Sequence, residues 1–250
     1  MVIESAPLAL TSAEKRRRRA ALIRRHGLLR TVNKLAYNWV RSRFLQSRGT
    51  EDQAVVALFP DRDVRYRRSV PTIEVPNIND AACIEFVRSL APDMLAVCGT
   101  TVIRAAVFSL ARVGTLNIHT GITPEYRSAD PIFWALYEGK PDKVGVTIHL
   151  VDAGIDTGPI VRQEVVPVFR VDTLSSIYLR CIRRGAELYL GVLADAERGT
   201  LSRQAPKKAP SRAFYSIDLG IVQYLVFLWR FSRLKRRLPA GPDELDRSLA

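Results

Sequence analysis

The chain has 250 residues, of which 47% are hydrophobic and 25% charged, a balance that excludes a wholly disordered or a collagen-like chain. It contains no run of 18 or more uncharged apolar residues, which excludes a multi-span membrane protein. Its net charge of +13 is uneven: residues 1–50 carry 12 Lys/Arg against 2 acids, residues 51–197 carry 15 against 19, and residues 198–250 carry 11 against 4.

In chain order, Val2-Ile3 reads as the end of a short strand. Ser12-Ala13-Glu14 opens a helix carrying the cations Lys15 to Arg19. Apolar residues from Leu22 to Phe44 recur at helical spacing and predict two helical stretches interrupted near Gly27. Residues 54–59 are an apolar run that reads as strand or buried turn. Thr72 to Val75 alternates before Pro76, as a short strand does, and Asn79-Asp80 caps a helix over residues 81–90. Met94 to Gly99 reads as a buried parallel strand, followed by a short helix near residues 103–110. Gly114 to His119 is the next strand, and Pro131 opens a helix to about residue 138. Residues 144–151 and 159–168 read as strands joined by the Gly-rich turn Asp152 to Gly158. Asp172-Thr173 caps a long amphipathic helix to about residue 198. Alternating strands and helices predict α/β architecture with an open, mostly parallel sheet and flanking helices.

Three regions follow: a basic helical N-terminal segment over 1–50, a central domain over 51–198, and a linker with an apolar, basic C-terminal helix over 199–250. The core of that helix, residues 219–229, is too short to span a bilayer, so it either docks on the body or lies in a membrane interface; docking is favoured. The basic ends suit a loose contact with an anionic partner, a membrane surface, RNA or a phosphorylated ligand, with weak membrane contact and no specific nucleic acid expected; the rival is a solvated helix face and tail. Cys83, Cys98 and Cys181 are far apart and odd in number, so neither a disulfide framework nor a metal knuckle is read from them. A reducing cytoplasm is expected, with contact at the membrane periphery, and residues 1–7 lack the layout of a signal peptide.

Sites in open α/β sheets lie beyond the carboxyl ends of the strands. Asn117 and His119 sit at one such end, two apart, and so point to one face. The turn Gly154-Ile155-Asp156-Thr157-Gly158 adds a carboxylate. An amide, an imidazole and a carboxylate suit carbonyl chemistry: the amide donates to a developing oxyanion, the imidazole handles charge or a proton, and the carboxylate sets the imidazole's tautomer. Each also has a structural reading, since a histidine at a strand end is more often structural and Asp156 equally fits an Asx turn. His149 reads as a packing or supporting residue and His26 has no evident partner. Three scattered His and three scattered Cys give no metal-ligand spacing, and no nucleophile elbow or Walker loop is present.

The blocks Leu116-Asn117-Ile118-His119, Pro124-Glu125-Tyr126-Arg127, Pro131 to Leu136, Val144 to His149 and Asp152 to Ile160 together resemble the catalytic region of the folate-dependent formyltransferases. The resemblance covers residues 72–168 and implies a Rossmann-like fold with Asn117, His119 and Asp156 as the catalytic residues. It also implies 10-formyltetrahydrofolate as cosubstrate, held near Gly99, Thr101, Val102 and Ile103 and by the Gly154-Ile155 turn, with no metal.

Against that family the chain is expected to start inside the second strand, at Met1-Val2-Ile3-Glu4, with the first strand missing and two sheet edges left without a partner. The loop after His119, with Ile122-Thr123-Pro124 and Arg127-Ser128, departs from the usual Leu-Leu-Pro and Arg-Gly. Residues 199–250 are too few for the β-barrel domain of methionyl-tRNA formyltransferase, which leaves a small-molecule amine, an amino sugar or glycinamide ribonucleotide, as the expected acceptor. The alternatives are a catalytically impaired binding module and a formyl-folate hydrolase.

Overall fold

A computed structural model describes residues 1–4, 11–45, 70–206 and 211–241 of the chain. Strand β1 (Val2–Glu4) precedes two helices, α1 (Ser12–His26) and α2 (Leu28–Val40), and α2 runs on into a π-helical turn, Arg41–Leu45. Thr11 starts α1 by a reciprocal cap: its Oγ1 accepts from the Glu14 amide at 3.2 Å while the Glu14 carboxylate accepts from the Thr11 amide at 2.7 Å. Gly27, with φ +83°, breaks the two helices where the sequence predicts.

Strand β2 (Ile73–Val75), helix α3 (Ala81–Leu90), strand β3 (Met94–Cys98), helix α4 (Ala105–Phe108) and strand β4 (Gly114–His119) follow. Then come β5 (Tyr126–Ser128), α5 (Pro131–Tyr137), β6 (Gly145–Leu150), β7 (Ile160–Val165), α6 (Leu174–Glu197), β8 (Arg212–Phe214) and α7 (Ile221–Lys235). One sheet has the order β3-β4-β6-β7, with β3 and β4 parallel and β6 antiparallel to both of its neighbours. β1 pairs with β2 and β5 with β8, both in parallel. The fold is therefore mixed α/β with mostly parallel pairings and flanking helices, as expected.

Alternation along the strands decides what each sheet face does. Leu116, Ile148 and Leu150 point to one face and pack with Tyr189 and Val192 of α6. A second core joins Phe133 and Trp134 of α5 to Phe214, to Phe227 and Phe231 of α7, and to Tyr37 of α2. Trp134 and Phe214 stack with centroids 4.5 Å apart, and Phe133 meets Phe227 at 4.7 Å. The C-terminal helix thus docks on the body through its inner face. Side chains fix it there: Asn33 Oδ1 accepts from the Val222 amide at 2.9 Å, Asn33 Nδ2 donates to Gln223 at 2.8 Å, and Arg30 pairs with Asp218.

Four readings of the sequence change in three dimensions. β3 is half-exposed rather than buried, because β4 is its one partner among the described strands. Asp80 stands at the N-cap of α3 without a side-chain cap bond. Asn79 is occupied elsewhere, accepting from the Arg104 amide at 2.7 Å and donating to the Val102 carbonyl at 2.9 Å. β5 and β8, three residues each, carry no alternation long enough to detect, and residues 212–214 fall inside the stretch expected to be linker and helix. Residues 54–59 lie outside the described residues.

Candidate active site

Asn117 and His119 are two apart on β4 and share a face, and the register of the antiparallel ladder sets their neighbours. His149 of β6 lies directly opposite Asn117, and Thr147 directly opposite His119. Gln163 of β7 lies opposite Thr147. One face of three strands thereby carries a polar row, while the alternate residues fill the core under α6.

Thr147 and Gln163 fasten the loop that follows His119. Thr147 Oγ1 donates to the Gly121 carbonyl at 2.6 Å, and Gln163 Nε2 donates to the Thr123 carbonyl at 2.8 Å and to Thr147 Oγ1 at 2.9 Å. Gly121 is required here, since a Cβ would collide with Pro131 and with the imidazole of His119. The Thr123-Pro124 peptide bond is cis.

Asp156 is the hub. Its Oδ2 accepts from the Ser128 amide at 2.8 Å and stands 3.5 Å from His119 Nδ1, and its Oδ1 stands 3.2 Å from His149 Nε2. Asp156, Ser128 and Asp130 all have positive φ, which costs non-glycine residues about 1–3 kcal/mol each and persists because the surrounding contacts fix it. Burial pushes the Asp156 carboxyl up, but its contacts with His149 and His119 and the hydrogen bond from the Ser128 amide together hold it down at about 2. It is ionised at every physiological pH.

His119 is buried, and its Nε2 donates to the Tyr126 carbonyl at 2.9 Å. Burial pulls its pKa below 6.5, against the opposing pull of Asp156. The imidazole at rest is therefore neutral. Nδ1 faces the Asp156 carboxylate, so a proton arriving there meets an acceptor already in place. Asn117 is held by His149, read from the sequence as a packing or supporting residue: its Nδ2 lies 3.2 Å from His149 Nε2, while His149 Nδ1 is bonded to the Leu150 carbonyl at 2.9 Å. The other amide hydrogen of Asn117 reaches Asp156 at 3.5 Å, the outer limit of a hydrogen bond, and is available to an incoming oxygen.

These groups form the floor of a cleft of about 620 Å³. Gly99, Thr101, Val102, Ile103, Gly154 and Ile155 line its walls, together with Ser128, Tyr178 and Ser216. The 99–103 wall is placed by a residue with no recognisable sequence signal. Glu4 accepts from the Thr101 amide at 3.0 Å, from Thr101 Oγ1 at 2.7 Å and from the Ile78 amide at 3.1 Å, and so ties the β1–β2 pair to the end of β3. Among the described residues, no group of three or more His, Cys, Asp and Glu is placed to hold a metal ion.

The sequence model of the formyl transferases matches residues 48–193, more than half of the chain. The methionyl-tRNA formyltransferase of Trichlorobacter lovleyi is 28% identical over 153 residues, which are 61% of this chain and 48% of that protein. The methionyl-tRNA formyltransferase of Thermotoga maritima is 32% identical over 162 residues, 64% of this chain and 51% of that one. The chain thus spans about half the length of these relatives. Among solved structures, the formyltransferase PseJ from Anoxybacillus kamchatkensis, in complex with UDP-4,6-dideoxy-4-formamido-L-AltNAc and tetrahydrofolate, superposes with a TM-score of 0.54 at 22% identity. That superposition covers 67% of this chain and 86% of PseJ.

Proposed function

This chain belongs to the formyl transferase family, and from that premise we propose that it moves a formyl group from 10-formyltetrahydrofolate to the primary amine of a small molecule. The observation that carries the reading is the convergence of Asn117, His119 and Asp156 on the floor of one cleft. The cleft walls suit the donor: residues 99–103 and 154–155 bring backbone and small side chains to the surface, against which a flat heteroaromatic ring can lie. Bound there, the folate supplies an activated formyl carbon.

This chain's own residues then act on charge and protons. The Asn117 amide hydrogen that reaches Asp156 only at 3.5 Å turns to the formyl oxygen and stabilises the negative charge developing there, in a half-buried setting that strengthens such a bond. Neutral His119 takes the amine proton at Nδ1 as the amine attacks, Asp156 stabilises the resulting imidazolium, and His119 then hands that proton on to the leaving nitrogen. The C–N bond to the acceptor forms, the C–N bond to the folate breaks, and the amine proton passes to the departing folate nitrogen. His149 keeps the Asn117 amide aimed.

A second acceptor is favoured by the relatives in sequence, which are methionyl-tRNA formyltransferases. Incubating the chain with 10-formyltetrahydrofolate and either a panel of amino sugars and glycinamide ribonucleotide or charged initiator tRNA separates the two. Formylation of a small amine, lost in His119→Ala, supports the proposal. Formylation of the tRNA alone moves the acceptor to the second reading, and formate release without any acceptor identifies a hydrolase.

A further inference from the structure

Helices α2 and α7 each bury one face and leave the other apolar and exposed. On α2 the outer stripe is Leu28, Leu29 and Val32, with Leu29 86% exposed. On α7 it is Val222, Leu225 and Trp229, at 56%, 58% and 54%. Asn33 of α2 takes the amide of Val222 of α7, so the two stripes lie on helices packed against each other. Isolated exposed apolar residues are ordinary; a continuous patch on paired helices marks an interaction surface.

The charge around this surface says what covers it. Helices α1, α2 and α7 contain twelve Lys/Arg and a single carboxylate, Glu14, which is engaged with Thr11. Lys15 to Arg19 are all exposed on α1, and Arg233, Arg236 and Arg237 are exposed at the far end of α7. Arg233 lies over the Trp229 ring at 3.9 Å, which joins the cationic rim to the apolar stripe. A second copy of this chain placed against the same face would bring like charges together. A nucleic acid would use the cations but gain little from Leu29, Val32, Val222 and Leu225. A bilayer with anionic headgroups satisfies both features, the apolar stripe entering the headgroup boundary and the cations lying among the phosphates. No helix of the described residues is long and apolar enough to cross a membrane, so the contact lies in the surface plane.

We propose that the outer faces of α2 and α7, flanked by the cations of α1 and of the C-terminal end of α7, form a platform that docks on anionic lipid bilayers. The proposal is independent of which acceptor the cleft takes.

The test is co-sedimentation of the full chain with phosphatidylcholine vesicles, with and without phosphatidylglycerol, at low and high salt. Binding to the anionic vesicles is expected at low salt, weakened at high salt as the Debye length shrinks, with little binding to neutral vesicles. The double substitution Leu29→Glu, Leu225→Glu lies on exposed positions and is expected to reduce binding by about tenfold or more with an unchanged circular dichroism spectrum. If that variant misfolds, the fourfold reversal of Arg16, Arg17, Arg18 and Arg19 to Glu must abolish the salt-sensitive binding instead. Three results overturn the proposal. They are no binding to anionic vesicles at low salt, unchanged binding by both variants, and retention by RNA of a protein that ignores vesicles.

Discussion

The cleft floor and the helical platform use opposite arrangements of the same chemistry. At the floor, polar groups are buried and each is held by a named partner: His119 by Tyr126, His149 by Leu150, and Asp156 by Ser128. On the platform, large apolar groups stand in solvent beside a dense set of cations. A buried polar group costs free energy unless it is bonded, so the floor tolerates few substitutions. An exposed leucine costs little in the free protein, so the platform's stability comes from its inner face alone. Conformational precision is concentrated in the first region; the second offers area and charge.

The largest effect that sharpens this contrast is at the floor. His119→Ala and Asp156→Asn are each expected to lower kcat/KM by about 10²–10⁴, measured as formyl transfer to whichever acceptor the incubation reveals. A near-normal rate for either would remove the floor from the chemistry. Next comes a pair across one helix. Phe227→Ala, on the buried face of α7, is expected to destabilise by about 3–5 kcal/mol, and Leu225→Ala, two residues away on the outer face, by less than about 0.5 kcal/mol, both read by urea unfolding. Equal losses would break the distinction between the two faces.

Thr147→Val removes the hydroxyl that Gly121, Thr123 and Gln163 all share, at a cost of about 1–3 kcal/mol. It also frees the loop after His119, so KM for the acceptor is expected to rise more than KM for the folate. The smallest effect is in pH. His119 is held neutral in the fold while an unfolded histidine takes up a proton below 6.5. The unfolded state therefore binds more protons as pH falls below 6.5, and stability declines by at most about 1.4 kcal/mol per pH unit until the folded histidine titrates. Asp156 acts in a lower window: its contribution is full above 3.8 and is lost as pH falls toward 2. Unfolding midpoints at pH 7.5 and 5.5, with His119→Gln as the control that flattens the slope, check the sign.

Among the described residues, local chemistry places the elements long enough to show a period or a cap. The break at Gly27, the run from Gly114 to His119, the helix opened by Pro131 and the long helix after Thr173 all appear where local chemistry puts them. It also determined that Asn117 and His119 share a face, because alternation along a strand is a property of the chain alone. Only the tertiary structure decided who faces them. The antiparallel register sets His149 opposite Asn117, and a shift of one residue would have sent it into the core under α6. Glu4 reaches Thr101 across nearly a hundred positions, β5 finds β8, and Asn33 of α2 takes the Val222 amide of α7, each through contacts that no local spacing encodes. Local periodicity records which way a side chain points; the partner it meets depends on how distant segments pack, and that is settled only when the whole chain closes on its cores.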